Sequence, residues 1–372
     1  MSQTPLPPTR LVIKIGTSTL TAGTDRLSPP TLVDLARQIS NMRTAGNDVV
    51  LVTSGAVATG REALSFPQLP KDIPAKQMLA AVGQPRLMAV YERIFGLYGI
   101  TVAQVLLTRA DLDNRRSYLN ARNTLSALLR HQLLPIVNEN DTVATEEIRV
   151  GDNDNLSALV ANLVDADTLI LLTDQPGVFT ADPRHDPGAH LISDVLTDEI
   201  PPSLWEAAGG KSSGVGTGGM LTKLQAADLA RRSGTTVIVA GGSDPDILTR
   251  LAAGEHVGTH FRALRSAIDS RRRFLLAGSA SGSLAVDDGA ARALRRGGSL
   301  LPIGVAAVEG SFERGDTVRI LDATGREIAR GMVNYRDADL TRLLGRHSDD
   351  IEGLLGYHYG DEAIHHNDLV LL

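Results

Sequence analysis

Five short apolar runs, rich in β-branched residues, recur along the chain: LVIKIG (11–16), VVLVTSG (49–55), LLPIVNEN (133–140), TLILLTD (168–174) and TVIVAGG (236–242). Each ends in Gly, Ser, Thr, Asn or Asp. Helical patterns such as LVDLARQISNMRTAG, YLNARNTLSALLRHQ and NLSALVANLVDA lie between them. Strands that are apolar throughout must be covered on both faces, and interleaved amphipathic helices supply that cover. The pattern therefore predicts an α/β fold with a mostly parallel open sheet sandwiched by helices. In such sheets ligands bind beyond the carboxyl ends of the strands. One polar strand end is ordinary turn chemistry, but five together point to a common site.

With 372 residues, two domains are expected. The texture changes after about residue 262, where the basic FRALRSAIDSRRRFLLAG leads into Gly- and Ser-rich sequence. Short strands follow in SGSLAVDDG, LLPIGVAAVEG, DTVRILDATG, EIARGMVNY and NDLVLL, with helices at GAARALRRG and DADLTRLLG. The expected division is a domain over 1–265, a linker over 266–277 and a small β-rich domain over 278–372. Aromatic residues make up only 3% of the chain, so the cores must be aliphatic. The absence of cysteine removes disulfides, thiolate catalysis and Cys-ligated metals. A net charge of −6 argues against general affinity for nucleic acid or anionic membranes. The C-terminal stretch is itself acidic, with ten Arg, no Lys and fifteen Asp plus Glu from Gly278 onward, so no nucleic-acid partner is expected. There is no apolar leader and no run of about 18 apolar residues. A soluble, cytoplasmic protein without membrane association is the expectation.

The run GTGGMLTK, Gly216 to Lys223, places three glycines and a lysine before the amphipathic pattern LTKLQAADLARRSG. Glycines let backbone N–H groups approach an anion, and a helix start adds a favourable dipole. Only five lysines stand against thirty-two arginines, which makes this one conspicuous. The spacing is not that of a Walker A loop, and a Gly-rich surface loop is the alternative. Lys14, inside KIGTS, lies between Ile13 and Ile15 on an expected buried strand, where its ammonium needs a negative partner. A phosphate contact would supply one; snorkelling from the strand end is the alternative. Ser54-Gly55-Ala56 closes the second run without a G-x-S-x-G elbow, so Ser54 reads as a substrate hydrogen-bonding group or a helix N-cap. Two Asn/Asp clusters follow, NENDTVA (138–144) and VGDNDNLSALV (150–160), and neither fits an EF-hand. They suit a ligand bearing an ammonium and a carboxylate: Asp141 can bind the first, while Asn138 and Asn153 can donate to the second. Thr173-Asp174 leads into QPGVFTADP, a loop suited to a ribose or base, or to a purely structural role.

In this order KIGTS, VTSGA, NENDTVA, GDNDNLSA, LLTDxxGVFTADP and GTGGMLTKLQAA resemble the amino acid kinase family and, among its members, the glutamate 5-kinases. LAAVGQPRLM, LLTRAD and LGYHYG extend the similarity over nearly the whole chain, and the C-terminal part resembles a PUA domain. The resemblance implies phosphorylation of the side-chain carboxylate of L-glutamate by ATP, the first step of proline biosynthesis. It implies that Lys14 and Lys223 contact the ATP phosphates and stabilise the transition state, with Asp154 orienting the lysines or a metal-bound water. ATP would be bound by Lys14, Thr173, Asp174, Thr217, Gly218, Gly219, Met220, Leu221, Thr222 and Lys223. Glutamate would be bound by Ser54, Asp141 and Asn153, with Gly55 and Asn138 nearby. Mg²⁺ would arrive with the nucleotide, no protein-held metal being expected. Proline as feedback inhibitor, a homodimer or homotetramer, and glutamate-5-semialdehyde dehydrogenase as a partner complete the implied picture.

Overall fold

The computed structural model describes residues 9–70, 72–144, 153–209, 219–264 and 280–372. The chain forms two compact units, one of Met1–Leu112 with Thr124–Ser266, the other of Asp113–Asn123 with Ala267–Leu372. Membership of Asp113–Asn123 in the second unit differs from the division expected above. Leu119 clusters there with Met332 and Val370, and Arg122 forms a buried ion pair with Asp368. Local periodicity cannot reveal this, because the segment is simply part of an amphipathic helix.

The first unit holds an eight-stranded sheet: β1 (Arg10–Ile15), β2 (Asp48–Val52), β3 (Val102–Leu107), β4 (Leu134–Glu139), β5 (Thr168–Thr173), β6 (Asp194–Val195), β7 (Thr236–Gly241) and β8 (Thr259–Phe261). The spatial order is β3-β4-β2-β1-β5-β7-β8-β6. β1 to β5 and β7 run parallel, whereas β8 is antiparallel to β7 and carries β6 parallel to itself. The five apolar runs supply β1, β2, β4, β5 and β7. The strands they do not include have weaker signatures. β3 is an edge strand, mostly half-buried, and β6 and β8 are too short to show a period.

The helices along this stretch are α1 (Thr17–Leu20), α2 (Pro29–Thr44), α3 (Ala56–Ala63), α4 (Ile73–Gly96), α5 (Arg109–Asp113), α6 (Arg115–Arg130), α7 (Asn153–Leu163), α8 (Pro202–Ala207), α9 (Met220–Arg232) and α10 (Ile247–Ala252). Leu11, Ile13 and Ile15 of β1 pack with Leu35 and Ile39 of α2, Leu87, Tyr91 and Phe95 of α4, and Ile247 and Leu248 of α10. The pleat sends Val12 and Lys14 to the opposite face. There α7 packs on β1 and α9 packs on α7. The strand order reverses at β1, whose neighbours β2 and β5 lead off in opposite directions. A crevice beyond the strand ends belongs at such a point.

The second unit contains β9 (Gly282–Val286), β10 (Val305–Gly310), β11 (Thr317–Leu321), β12 (Glu327–Met332) and β13 (Leu369–Leu371) in the order β10-β9-β11-β12-β13. Only β9 and β11 pair in parallel. Leu284, Val286, Phe312, Val318, Ile320 and Tyr335 lie in its core. Among the described residues, no helix is long and apolar enough to cross a membrane.

Candidate active site

The carboxyl ends of β1, β2, β4 and β5 open into a cavity of about 410 Å³. Lys14, Ser54, Gly55, Asn138, Asp141, Asn153, Thr173 and Lys223 all line it. Residues spread over more than two hundred positions therefore meet because parallel strands deliver their C-terminal ends to one edge.

Asp154 is the centre of the arrangement. It occupies the first turn of α7 and is fully buried. Lys14 Nζ lies 2.6 Å from its Oδ1, and Lys223 Nζ lies 3.2 Å from its Oδ2. The Thr222 hydroxyl donates to Oδ2 at 2.6 Å. Burial by itself would raise the carboxyl's pKa. The two ammonium groups and the hydrogen bonds from Lys14 and Thr222 outweigh it and hold the group at about 2. One carboxylate thus fixes two buried ammonium groups and leaves a net positive charge at the cavity. The lysine of the glycine run reaches it from the first turn of α9, after the N-cap Gly219. Gly219, Met220, Leu221 and Thr222 do not line the cavity, and Thr217 and Gly218 lie outside the described residues. The Thr173 hydroxyl donates to Asp174 Oδ1 at 3.0 Å; Thr173 faces the cavity and Asp174 does not line it.

The asparagines depart from expectation. Asn153 Nδ2 is engaged by Thr53 O at 2.8 Å, Ser54 Oγ at 3.0 Å and Asn138 Oδ1 at 3.0 Å. Asn138 Nδ2 in turn donates to Gln84 Oε1 at 2.8 Å. The donors expected to hold a carboxylate are therefore committed within the protein. Asn153 Oδ1 is buried and has no hydrogen-bond partner among the described residues, an acceptor left over for a donor such as an ammonium. Sequence cannot set these amide directions, because Gln84 is a residue of α4 that its spacing does not connect to the Asn/Asp clusters. Burial raises the pKa of Asp141 above its ordinary value.

Arg61, Lys76 and Glu139 also line the cavity and escaped the sequence reading. A signal existed for Lys76: the scarcity of lysine that singled out Lys223 applies to it equally, and the three lysines among the described residues all line this one cavity. For Arg61 the sequence holds no comparable signal, since arginine is abundant in the chain.

A model of the amino acid kinase family matches residues 9–241, and one of the PUA domain matches residues 282–355. The chain belongs to the amino acid kinase family. The glutamate 5-kinase of Photobacterium profundum is 54% identical over 370 residues, spanning 99% of this chain and 97% of its own. That of Deinococcus radiodurans is also 54% identical, spanning 98% of this chain and 100% of its own. Within the family, the chain falls among the glutamate 5-kinases. Among solved structures, a UMP kinase from Bacillus anthracis covers 70% of this chain and 98% of its own, at 16% identity and a TM-score of 0.47.

Proposed function

We propose that this chain transfers the γ-phosphoryl group of ATP to the side-chain carboxylate of L-glutamate, giving ADP and L-glutamyl 5-phosphate, the entry to proline biosynthesis. The observation that carries the reading is the pair of lysines gathered on buried Asp154 at the cavity wall. Near-complete alignment with glutamate 5-kinases supplies the substrate.

The chemistry needs little else. A glutamate side chain, with a reference pKa of about 4.3, is ionised at neutral pH and needs no general base. Its oxygen forms a bond to the γ-phosphorus as the bond to the β,γ-bridging oxygen breaks, and ADP leaves. Catalysis is then positioning plus neutralisation of charge on the phosphoryl group in transit. An ammonium has three donors, so pairing with Asp154 need not exhaust either lysine. Asp154 keeps both cations at fixed positions before substrate arrives, with no reorganisation at the moment of reaction. Among the described residues no cluster of three or more carboxylate or imidazole groups is built to hold a metal, and Asp154 is engaged by its cations. Mg²⁺ is proposed to arrive with the nucleotide phosphates. The reading extends to a cytoplasmic homo-oligomer inhibited by proline and working with glutamate-5-semialdehyde dehydrogenase.

ADP release measured with glutamate, aspartate, N-acetylglutamate and carbamate tests the substrate; turnover confined to glutamate is the expected result. Lys14→Ala and Lys223→Ala should each lower kcat by about 10²- to 10³-fold with little change in the KM for glutamate. Normal turnover in either variant would sink the two-lysine assignment.

Asp141 is assigned to the substrate ammonium, which gives a pH dependence of known sign. Because its pKa is raised, Asp141 takes up a proton sooner as pH falls than an ordinary carboxyl does, and the ammonium loses its partner. The KM for glutamate should therefore climb on acidification. Asp141→Asn should show a high KM that is flat across the same titration, with kcat less affected. Stability moves the other way, since a raised carboxyl pKa opposes folding above it. Asp141→Asn should melt no lower than wild type at neutral pH.

A further inference from the structure

Among the described residues four cationic side chains line the cavity, and the phosphoryl chemistry uses two, Lys14 and Lys223. Arg61 and Lys76 remain. Among the described residues, neither side chain has an ion-pair or hydrogen-bond partner. Arg61 adjoins Gly60, where α3 meets α4 so closely that a Cβ on Gly60 would fall 1.9 Å from the Leu79 carbonyl oxygen. Lys76 stands one turn before Leu79 on α4. The crossing therefore brings both cations to one stretch of the cavity wall. The same cavity carries Asp141, and it carries Asn153, a 7%-exposed side chain whose Oδ1 has no partner.

These groups form three kinds of subsite. A cation pair fixed by Asp154 suits the phosphoryl group and its acceptor, an unpaired carboxylate with a bare carbonyl oxygen suits an ammonium, and an unpaired guanidinium with an ammonium suits a second carboxylate. A dicarboxylic amino acid carries these charges and no others. We propose that Arg61 and Lys76 bind the α-carboxylate of the substrate, so that its ammonium falls to Asp141 and Asn153 Oδ1 and its other carboxylate to the Lys14–Lys223 end. The assignment rests on the kinase reading above and identifies what makes the enzyme select an amino acid with two carboxylates.

Steady-state ADP release by wild type, Arg61→Ala, Lys76→Ala, the double variant and Arg61→Lys tests it. Each alanine variant should raise the KM for glutamate roughly 10-fold and the pair roughly 100-fold, the loss of one and two charge-assisted hydrogen bonds. The kcat and the KM for ATP should stay within about 3-fold, and Arg61→Lys should recover part of the loss. As a competitor of glutamate, 4-aminobutyrate lacks the α-carboxylate, and its inhibition constant should be the same in wild type and the double variant. An unchanged KM for glutamate in the double variant overturns the proposal. So does a rise confined to the KM for ATP, which would assign the cations to the nucleotide, or an equal weakening of 4-aminobutyrate and glutamate. Failure of the kinase reading appears separately, as wild-type enzyme that releases no ADP with glutamate.

Discussion

Asp154→Asn is expected to lower kcat by at least about 10²- to 10³-fold, because it removes the carboxylate that Lys14 and Lys223 share. The variant keeps the shape of the side chain and loses its charge. Two buried ammonium groups then lose the carboxylate they share, and breaking a buried ion pair in this way costs about 3–5 kcal/mol of stability. Without their shared anchor the two ammonium groups repel each other and move apart, which removes charge from the phosphoryl path. Loss of kcat and loss of melting temperature should therefore appear together. In Lys223→Ala, by contrast, the Lys14–Asp154 pair survives, and the fold should suffer less than turnover. The pH dependence has a definite sign. The Asp154 pKa is lowered from 3.8 to about 2, so its contribution is present above 3.8 and is lost as pH falls towards 2. That contribution amounts to about 2 kcal/mol and should be missing from the acid-denaturation profile of the variant. An Asp154→Asn enzyme with kcat within about 10-fold of wild type would show that the lysines organise themselves.

Gly83→Ala should destabilise the protein strongly even though alanine favours helices. Within α4, replacing glycine by alanine gains about 1 kcal/mol of helix propensity. The new Cβ, however, would fall 1.8 Å from the Ala56 carbonyl oxygen and 2.5 Å from Gly60 N. These are backbone atoms with no rotamer to escape into. Restoring an ordinary C···O separation of about 3.3 Å means moving α3 off α4 by on the order of 1.5 Å. Overpacking costs about 1–3 kcal/mol when side chains can yield, and here they cannot, so a net loss of about 2 kcal/mol or more is expected. Function should follow. Ala56 opens α3 directly after Gly55, whose φ of +97° puts it in the left-handed region that glycine tolerates, and Ser54, Gly55 and Ala56 all line the cavity. Denaturant midpoint and KM for glutamate should shift together; a Gly83→Ala protein as stable as wild type would contradict the backbone contact.

Much of this site was legible in the residues. Lys14 stood out as a charge inside an apolar strand, and Lys223 as a rare lysine after three glycines. The Asn/Asp clusters stood out because two of them fall within twenty residues. The roles of the asparagines were not legible. An amide offers a donor and an acceptor in nearly the same shape, and which one faces the cavity depends on Gln84 and Thr53, contributed by other elements. Arg61 is ordinary in its own helix, since only the crossing with α4 brings it beside Lys76.

The sequence by itself determined the parallel, doubly covered sheet, because a strand apolar on both faces has no other stable environment. It also determined that the polar strand ends meet at one edge, because parallel strands all point the same way. The tertiary structure alone decided that Lys14 and Lys223 share one carboxylate. That outcome depends on the pleat of β1, which turns Lys14 towards α7, and on the packing of α9 against α7. Side-chain period follows from local geometry and can be read along a chain; the meeting of two charges more than two hundred positions apart follows from packing, which no local pattern encodes.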